Sequence, residues 1–334
     1  MHILITGAAG MIGRKLIDRL SSGGLPNSDE AVDFTLFDVV KAPVPQSSSG
    51  TIKVVTGDIT APETTINLVA GRPDIIIHLA AAVSGDAEGN FENGYRVNLD
   101  GTRCLFDTIR VESERLEYTP RMVFASSLAV FGAPLPNKIP DTYHLTPRTS
   151  YGVQKAVGEH LLADYTRRGI FDGIGIRLPT ICVRPGNPNK AASSFFSSIL
   201  REPLIGQEAI LPVATTVRHW FASPRAAVDF LVHAATLPSS KLGPYRNITM
   251  PGLSATIQDQ IEALKRFAGD RAASLICHEP DPVIERIISS WPENFDASEA
   301  LRLGFRAEAS FDEIIRAHVE DELSGKLEAR KPCC

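Results

Sequence analysis

The sequence predicts an α/β fold: a doubly wound parallel sheet with a smaller, partly interleaved C-terminal region. Three observations carry that expectation. Short, continuously apolar, β-branched runs alternate with longer amphipathic ones through the first 180 or so residues, the pattern of strands covered on both faces by helical crossovers. A glycine-rich turn directly follows the first apolar run. After Pro179 the alternation gives way to loop-rich sequence with shorter runs. The chain has 334 residues, enough for one large domain or two moderate ones. The expected division is 1–179 and 180–334, with some segments of the second part returning to the main sheet.

The elements follow in order. "HILIT" at 2–6 is the first strand, and a helix runs from Met11 to about Leu20. "FTLFD" at 34–38, "IKVVTGD" at 52–58 and "DIIIHLA" at 74–80 are the next strands. A long helix from Phe91 to about Glu112 leads to "RMVFASS" at 121–127. Another helix opens at Tyr151, with Thr149 or Ser150 able to cap its first turn, and "GIGIRLP" at 173–179 comes after it. Beyond Pro179, "AILPV" and "VRHWFAS" read as short strands. "PRAAVDFLVHAATL" reads as a helix with Pro224 near its first turn. "PYRNITM" has the texture of a strand able to rejoin the main sheet, and helices are expected near 256–268 and 310–323.

Composition limits the partners. Hydrophobic residues at 43% and charged residues at 22% describe an ordinary soluble globular chain. A net charge of −5 gives no reason to expect nucleic acid or an anionic membrane as partner. "MHILITG" carries no secretory signal, and no apolar run approaches the roughly 20 residues needed to span a bilayer, so a cytoplasmic location is expected. Cys104, Cys182 and Cys277 sit in apolar runs and are expected to be buried free thiols; Cys333 and Cys334 end the chain. No CxxC or Cys/His spacing suggests a metal.

"ITGAAGMIG" places glycines at 7, 10 and 13 between a strand and a helix. Gly7 can turn tightly, Gly10 lets backbone approach a pyrophosphate, and Gly13 allows close helix–strand packing. The helix N-terminus then offers N–H groups to the phosphates, as in a Rossmann dinucleotide site. Asp38 ends the second strand, where a carboxylate can bond both ribose hydroxyls and repel a 2′-phosphate. Only Lys41 stands nearby and no arginine, so NAD is favoured over NADP. Asp58 in "TGDIT" either holds the adenine amino group or caps Thr60 in a turn. Tyr151 and Lys155 share one face of a helix, four residues apart.

These residues, with "HLAA" at 78–81 and "VNLDGT" at 97–102, resemble the extended short-chain dehydrogenase/reductase superfamily, the NAD-dependent epimerases and dehydratases, over almost the whole chain. The resemblance implies cofactor contacts from Met11 and Ile12 in the glycine loop, Ile59 beside Asp58, Leu79, Ala80 and Ala81 after strand four, Asn98, and Pro179. It implies that Tyr151 takes a hydroxyl proton while hydride leaves the same carbon. Lys155 lowers the Tyr151 pKa and bonds the nicotinamide ribose, and a serine hydroxyl holds the developing carbonyl oxygen. Alignment of "SSLAVFG" on Val130 and Gly132 puts that hydroxyl at Ser127. Ser126 faces the other way if the strand continues, and joins Ser84 as a candidate substrate contact.

"RPGNPNKAASSFFSSILREPLIGQEAILPV" followed by "RHWFASPRAAV" is closely similar to the D-erythronate dehydrogenase group of that superfamily. The likeness implies oxidation of a four-carbon sugar acid at its 2-hydroxyl, and makes 180–334 the substrate-binding region. That stretch supplies Lys190, Arg218 and His219 as candidate substrate contacts, Arg218 first for the carboxylate. "SSLAV" lacks the acid that dehydratases use, which argues against dehydration. The alternatives are a nucleotide-sugar 4-epimerase, or a non-catalytic dinucleotide sensor. Relatives often form homodimers through the helices here at 91–112 and 150–168.

Overall fold

The computed structural model describes residues 1–26, 30–46, 48, 50–186 and 192–325; Lys190, Cys333 and Cys334 lie outside the described residues. Twelve strands occur among them. They are β1 (His2–Thr6), β2 (Asp33–Asp38), β3 (Ile52–Thr56), β4 (Ile75–His78), β5 (Arg121–Ser127), β6 (Asp172–Leu178), β7 (Thr180–Ile181), β8 (Ala209–Leu211), β9 (Arg218–Ala222), β10 (Asn247–Thr249), β11 (Leu253–Thr256) and β12 (Ile276–His278). The chain forms two compact units. Met1–Val130, Pro147–Leu178 and Val228–Met250 make the first; Phe131–Thr146, Pro179–Ala227 and the chain from Pro251 make the second. Residues 131–146 therefore group with the later sequence, and a single boundary near 179 does not separate the units.

The first unit is a doubly wound sheet in the order β10-β6-β5-β4-β1-β2-β3, parallel throughout. The chain winds outward in one direction from β1 and in the other from β4, so the carboxyl ends of these two strands flank the switch point where such sheets bind ligands. Both strands are central and covered on both faces, which is why Ile3, Leu4, Ile5, Ile76 and Ile77 are fully buried. Leu4, Phe37, Leu105, Phe106, Met122, Phe124 and Phe171 pack into one cluster beside the sheet. β10 rejoins this sheet beside β6, the return expected of "PYRNITM".

The long helix expected from Phe91 is interrupted. Phe91–Tyr95 is α-helical, Arg96–Gly101 widens into π-helix, and Thr102–Arg115 resumes the α-helix. π-turns of this kind often mark functional positions, and this one carries the buried Asn98. Helices Pro62–Val69 and Ser84–Gly89 were not expected; at 8 and 6 residues they are too short to show a clear helical period.

In the second unit β7, β9 and β11 form one small sheet, and β8 pairs with β12. Cys182, Phe196, Ile199, Phe221, Ile257, Leu264, Phe311 and Ile315 form its core. Of the three described cysteines only Cys182 is buried, and burial pushes its thiol up to about 12; Cys104 and Cys277 are half-buried, contrary to expectation. No helix of the described residues is long and apolar enough to cross a membrane.

Candidate active site

The glycine loop is built by close backbone approach. Gly7 has φ 76°, and a Cβ there would stand 2.7 Å from the Ala80 nitrogen. A Cβ on Gly13 would stand 2.3 Å from the Gly7 carbonyl oxygen. The loops after β1 and β4 thus meet backbone to backbone, with Leu79 N donating to Thr6 O at 3.0 Å. Helix Met11–Gly23 starts at Gly10 with no side chain capping it, which leaves first-turn N–H groups for an anion. Asp38 Oδ2 accepts Ala9 N at 2.8 Å, so the acid at the end of β2 also fixes the loop. This close-packed loop, with free N–H groups at the start of the helix, fits a dinucleotide. Met11, Ile12, Leu79, Ala80 and Ala81 are half-buried along it.

Of the two readings left open for Asp58, the geometry is that of the turn cap. Oδ1 accepts Thr60 N at 3.0 Å and Thr60 Oγ1 at 2.8 Å, and Arg96 pairs with Oδ2. The Thr60 amide leads in holding this carboxyl below its usual range. Ile59 is in the hydrophobic core, so only its backbone is available to a ligand. Pro179 is buried at the start of the second unit's middle segment.

A chain of buried polar groups locks the loops. Thr6 Oγ1 meets His78 Nδ1 at 2.7 Å, His78 Nε2 meets Thr102 Oγ1 at 3.0 Å, and Thr102 donates to Asn98 O at 2.7 Å. Burial, with the nearby Lys155 charge, pulls His78 down to about 3 and keeps it neutral. Asn98 Oδ1 accepts Ala82 N at 2.7 Å, and its Nδ2 donates to Ala82 O at 3.0 Å and to Gln154 Oε1 at 2.7 Å. It therefore steadies the strand-four loop against the helix that carries Tyr151.

That helix, Ser150–Arg167, is capped by Thr149, whose Oγ1 accepts Gly152 N at 3.0 Å. Its first turns bring Tyr151 near Ser127, whose hydroxyl favours the phenolate against burial. Lys155 is buried; its Nζ donates to Ala125 O at 2.9 Å and lies 5.8 Å from the centre of the Tyr151 ring. Burial pulls Lys155 down to about 8, opposed by Glu159. Contrary to expectation, Tyr151 is not acidified. Burial pushes its phenol up to about 12, and Ser127, not Lys155, supplies the opposing bond. The ammonium is aimed at a carbonyl and not at the phenol oxygen, which explains the difference. Ser126 needs correction as a substrate contact: it is buried, and its hydroxyl is committed to Glu159 Oε1 at 2.5 Å. Ser84 opens the short helix Ser84–Gly89 and is half-buried.

The second unit places its candidates differently. Arg218 is exposed on β9, where Nη1 donates to Ser254 O at 3.0 Å and its charge helps to depress Asp259. His219 is a packed histidine: it stacks on Phe196 at 5.3 Å, and its Nε2 meets Thr180 Oγ1 at 2.6 Å. Burial lowers it to about 4 against a Pro292 carbonyl, so it is neutral near pH 7 and supplies no cation for a carboxylate. Arg184 was missed. Its Nη2 donates to the carbonyl and hydroxyl oxygens of Ser193 at 2.9 and 3.1 Å, and it has no carboxylate partner among the described residues. The neighbouring Arg201 pairs with Glu202 at 2.6 Å. The sequence held a signal, since no Asp or Glu occurs between Arg177 and Glu202.

The first unit defines a dinucleotide-binding α/β protein with a Tyr/Lys pair near the switch point. The chain belongs to the NAD dependent epimerase/dehydratase family, whose profile matches residues 3–244. It is 47% identical to D-erythronate dehydrogenase of Cupriavidus necator over 96% of this chain and 98% of that one. It is 39% identical to D-erythronate dehydrogenase of Haemophilus influenzae over 97% of this chain and 100% of that one. A crystal structure described as a nucleoside-diphosphate-sugar epimerase from Agrobacterium tumefaciens superposes with a TM-score of 0.95 at 58% identity, covering 98% of this chain and 95% of that one.

Proposed function

We propose that this protein oxidises a small sugar acid at its 2-hydroxyl, D-erythronate in particular, with NAD as the cofactor. The observation that carries the reading is the hydroxyl pair Ser127–Tyr151, set one helical turn from the buried Lys155. Two relatives named D-erythronate dehydrogenase support the substrate. The uncapped helix after Gly10, the Gly7 and Gly13 approach and Asp38 would hold the dinucleotide, and the Asp38 carboxylate favours a free 2′-hydroxyl.

When bound, NAD supplies the hydride acceptor and a positive ring charge. The chain's own residues handle the proton. Tyr151 accepts it from the 2-hydroxyl, and Ser127 donates to the oxygen as it becomes a carbonyl. Lys155, whose Nζ is held at the Ala125 carbonyl, would bond the nicotinamide ribose. With its phenol pushed up to about 12, Tyr151 keeps its proton near pH 7, and added positive charge beside it would favour the phenolate that accepts the substrate's proton. Arg184, Arg218 and Lys190 are the candidate cations for the carboxylate, and Arg184 leads because no carboxylate answers its charge among the described residues.

A panel of sugar acids incubated with NAD and followed by NADH absorbance tests the proposal. D-Erythronate is expected to give stoichiometric NADH. A second reading, nucleotide-sugar epimerisation, is favoured by the name of the Agrobacterium tumefaciens structure. Interconversion of a nucleotide sugar with no net NADH, and silence on every acid, would replace the first reading with the second.

A further inference from the structure

The first unit contains a buried charge cluster that the proposed chemistry leaves unused. Glu159 lies one turn beyond Lys155 on the same helix and is 1% exposed. Its carboxylate accepts Arg177 Nε at 3.0 and 3.2 Å, Arg177 Nη2 at 2.8 Å and the Ser126 hydroxyl at 2.5 Å. Arg177 belongs to β6 and Ser126 to β5, while Asn247 of β10 donates to the Glu159 carbonyl at 3.2 Å. Three strands and one helix converge on this residue. Burying an ion pair is costly, and a well-packed apolar pair often serves stability as well. Its neighbour suggests another purpose: Lys155 is the one buried lysine among the described residues.

We infer that Glu159, held by Arg177 and Ser126, is a positioning residue that keeps Lys155 charged and directed at the Ala125 carbonyl. The catalytic consequence rests on the hydride-transfer reading; the charge relation does not. The groups facing Lys155 can be named element by element. Tyr151 and Glu159 share its helix. Phe124 of β5 presents its ring 4.9 Å from Nζ, and Ala125 presents its carbonyl at 2.9 Å. Arg177 of β6 stands behind Glu159, and His78 of β4 is neutral. Burial favours the neutral amine, and Glu159 opposes it. Removing the carboxylate withdraws that opposition, and the Arg177 charge that stays nearby adds repulsion, so both effects lower the Lys155 pKa.

The test is a titration of Lys155 in the cofactor-free full chain, read from the 13Cε resonance of labelled lysine, with Lys155→Met to assign the signal. Glu159→Gln is expected to lower the midpoint by about one pH unit or more. Should that variant not fold, Glu159→Gln/Arg177→Met removes both charges and is expected to give a smaller shift in the same direction. An unmoved midpoint in a folded variant overturns the inference. In the wild type and the same variants, the alkaline limb of kcat with D-erythronate and NAD is expected to move to lower pH by a similar amount. A limb that stays in place while the midpoint moves also overturns the positioning role. Absence of turnover in the wild type would instead count against the proposed function, leaving the titration as the measure of the charge relation.

Discussion

Arg177 in the first unit and Arg184 in the second differ in what answers their charge. Arg177 is 4% exposed and faces both oxygens of Glu159. Arg184 is half-buried, and its guanidinium donates to the neutral oxygens of Ser193 with no carboxylate partner among the described residues. A guanidinium with a bidentate carboxylate is internally complete. One held by neutral acceptors keeps most of its charge available to an anion. Under the proposed function, Arg177 serves the fold and Arg184 is the guanidinium offered to the substrate's carboxylate.

Variants should therefore split between kcat and KM. The largest effect is expected from Tyr151→Phe, which removes the proton acceptor. kcat with D-erythronate should fall at least roughly a hundredfold while the melting temperature stays close to wild type. Near-normal turnover would remove the chemistry from the first unit's Tyr/Ser pair.

Arg184→Met comes next. Loss of a charge-assisted bond is worth about 1.5–3 kcal/mol, so KM for the acid should rise about ten- to a hundredfold with kcat much less affected. Arg218→Met should change KM only severalfold, because its guanidinium is exposed and already serves Ser254. The corresponding uncharged polyol is the control. Equal losses for acid and polyol in the Arg184 variant would make that arginine structural and erase the contrast with Arg177.

Each unit also contains a buried histidine that should report on pH. His78 in the first and His219 in the second are held down to about 3 and about 4. The unfolded chain takes up these protons near pH 6.5, and the folded chain does not. Their contribution to stability is therefore complete above about pH 6.5 and is lost as pH falls toward the folded values. By pH 5 each should have cost about 2 kcal/mol. Urea unfolding at pH 7 and pH 5 measures the loss, and unchanged stability would mean that these rings charge freely in the fold. Asp38→Ala acts on the cofactor instead. The preference for NAD over NADP in kcat/KM should narrow by about tenfold, the low end for a bond to a charged group; an unchanged ratio would mean that another residue reads the ribose.

Legibility in the sequence followed burial. β1, β2 and β4 lie inside the sheet, and most of their residues are apolar, so their positions could be read directly. β11 and β12 have 4 and 3 residues, too few to carry a period, and only their pairing with β9 and β8 defines them. The Tyr151–Lys155 pair could be placed from its helical spacing, but its electrostatics could not. Whether Lys155 acidifies Tyr151 depends on where Nζ points, and the Ala125 carbonyl that receives it is 30 positions earlier in the sequence. Arg184 opens the stretch "RPGNPNKAASSFFSSIL", in which Lys190 is the cation that the sequence suggests for the substrate. The lack of acids between Arg177 and Glu202 is visible in the sequence, but only its neighbours in space show that no carboxylate answers Arg184 among the described residues.

The late strand β10 also has a consequence for how the chain matures. Residues 247–249 complete the edge of a sheet whose preceding strand ends at Leu178. At about 5–20 residues per second, β6 waits several seconds of synthesis before its partner exists. During that time its open edge is a template for pairing with another chain. A fragment ending at Pro179, where the character of the sequence changes, would retain that edge permanently. The first unit is therefore not a contiguous N-terminal piece of the chain, because its sheet takes in residues 247–249.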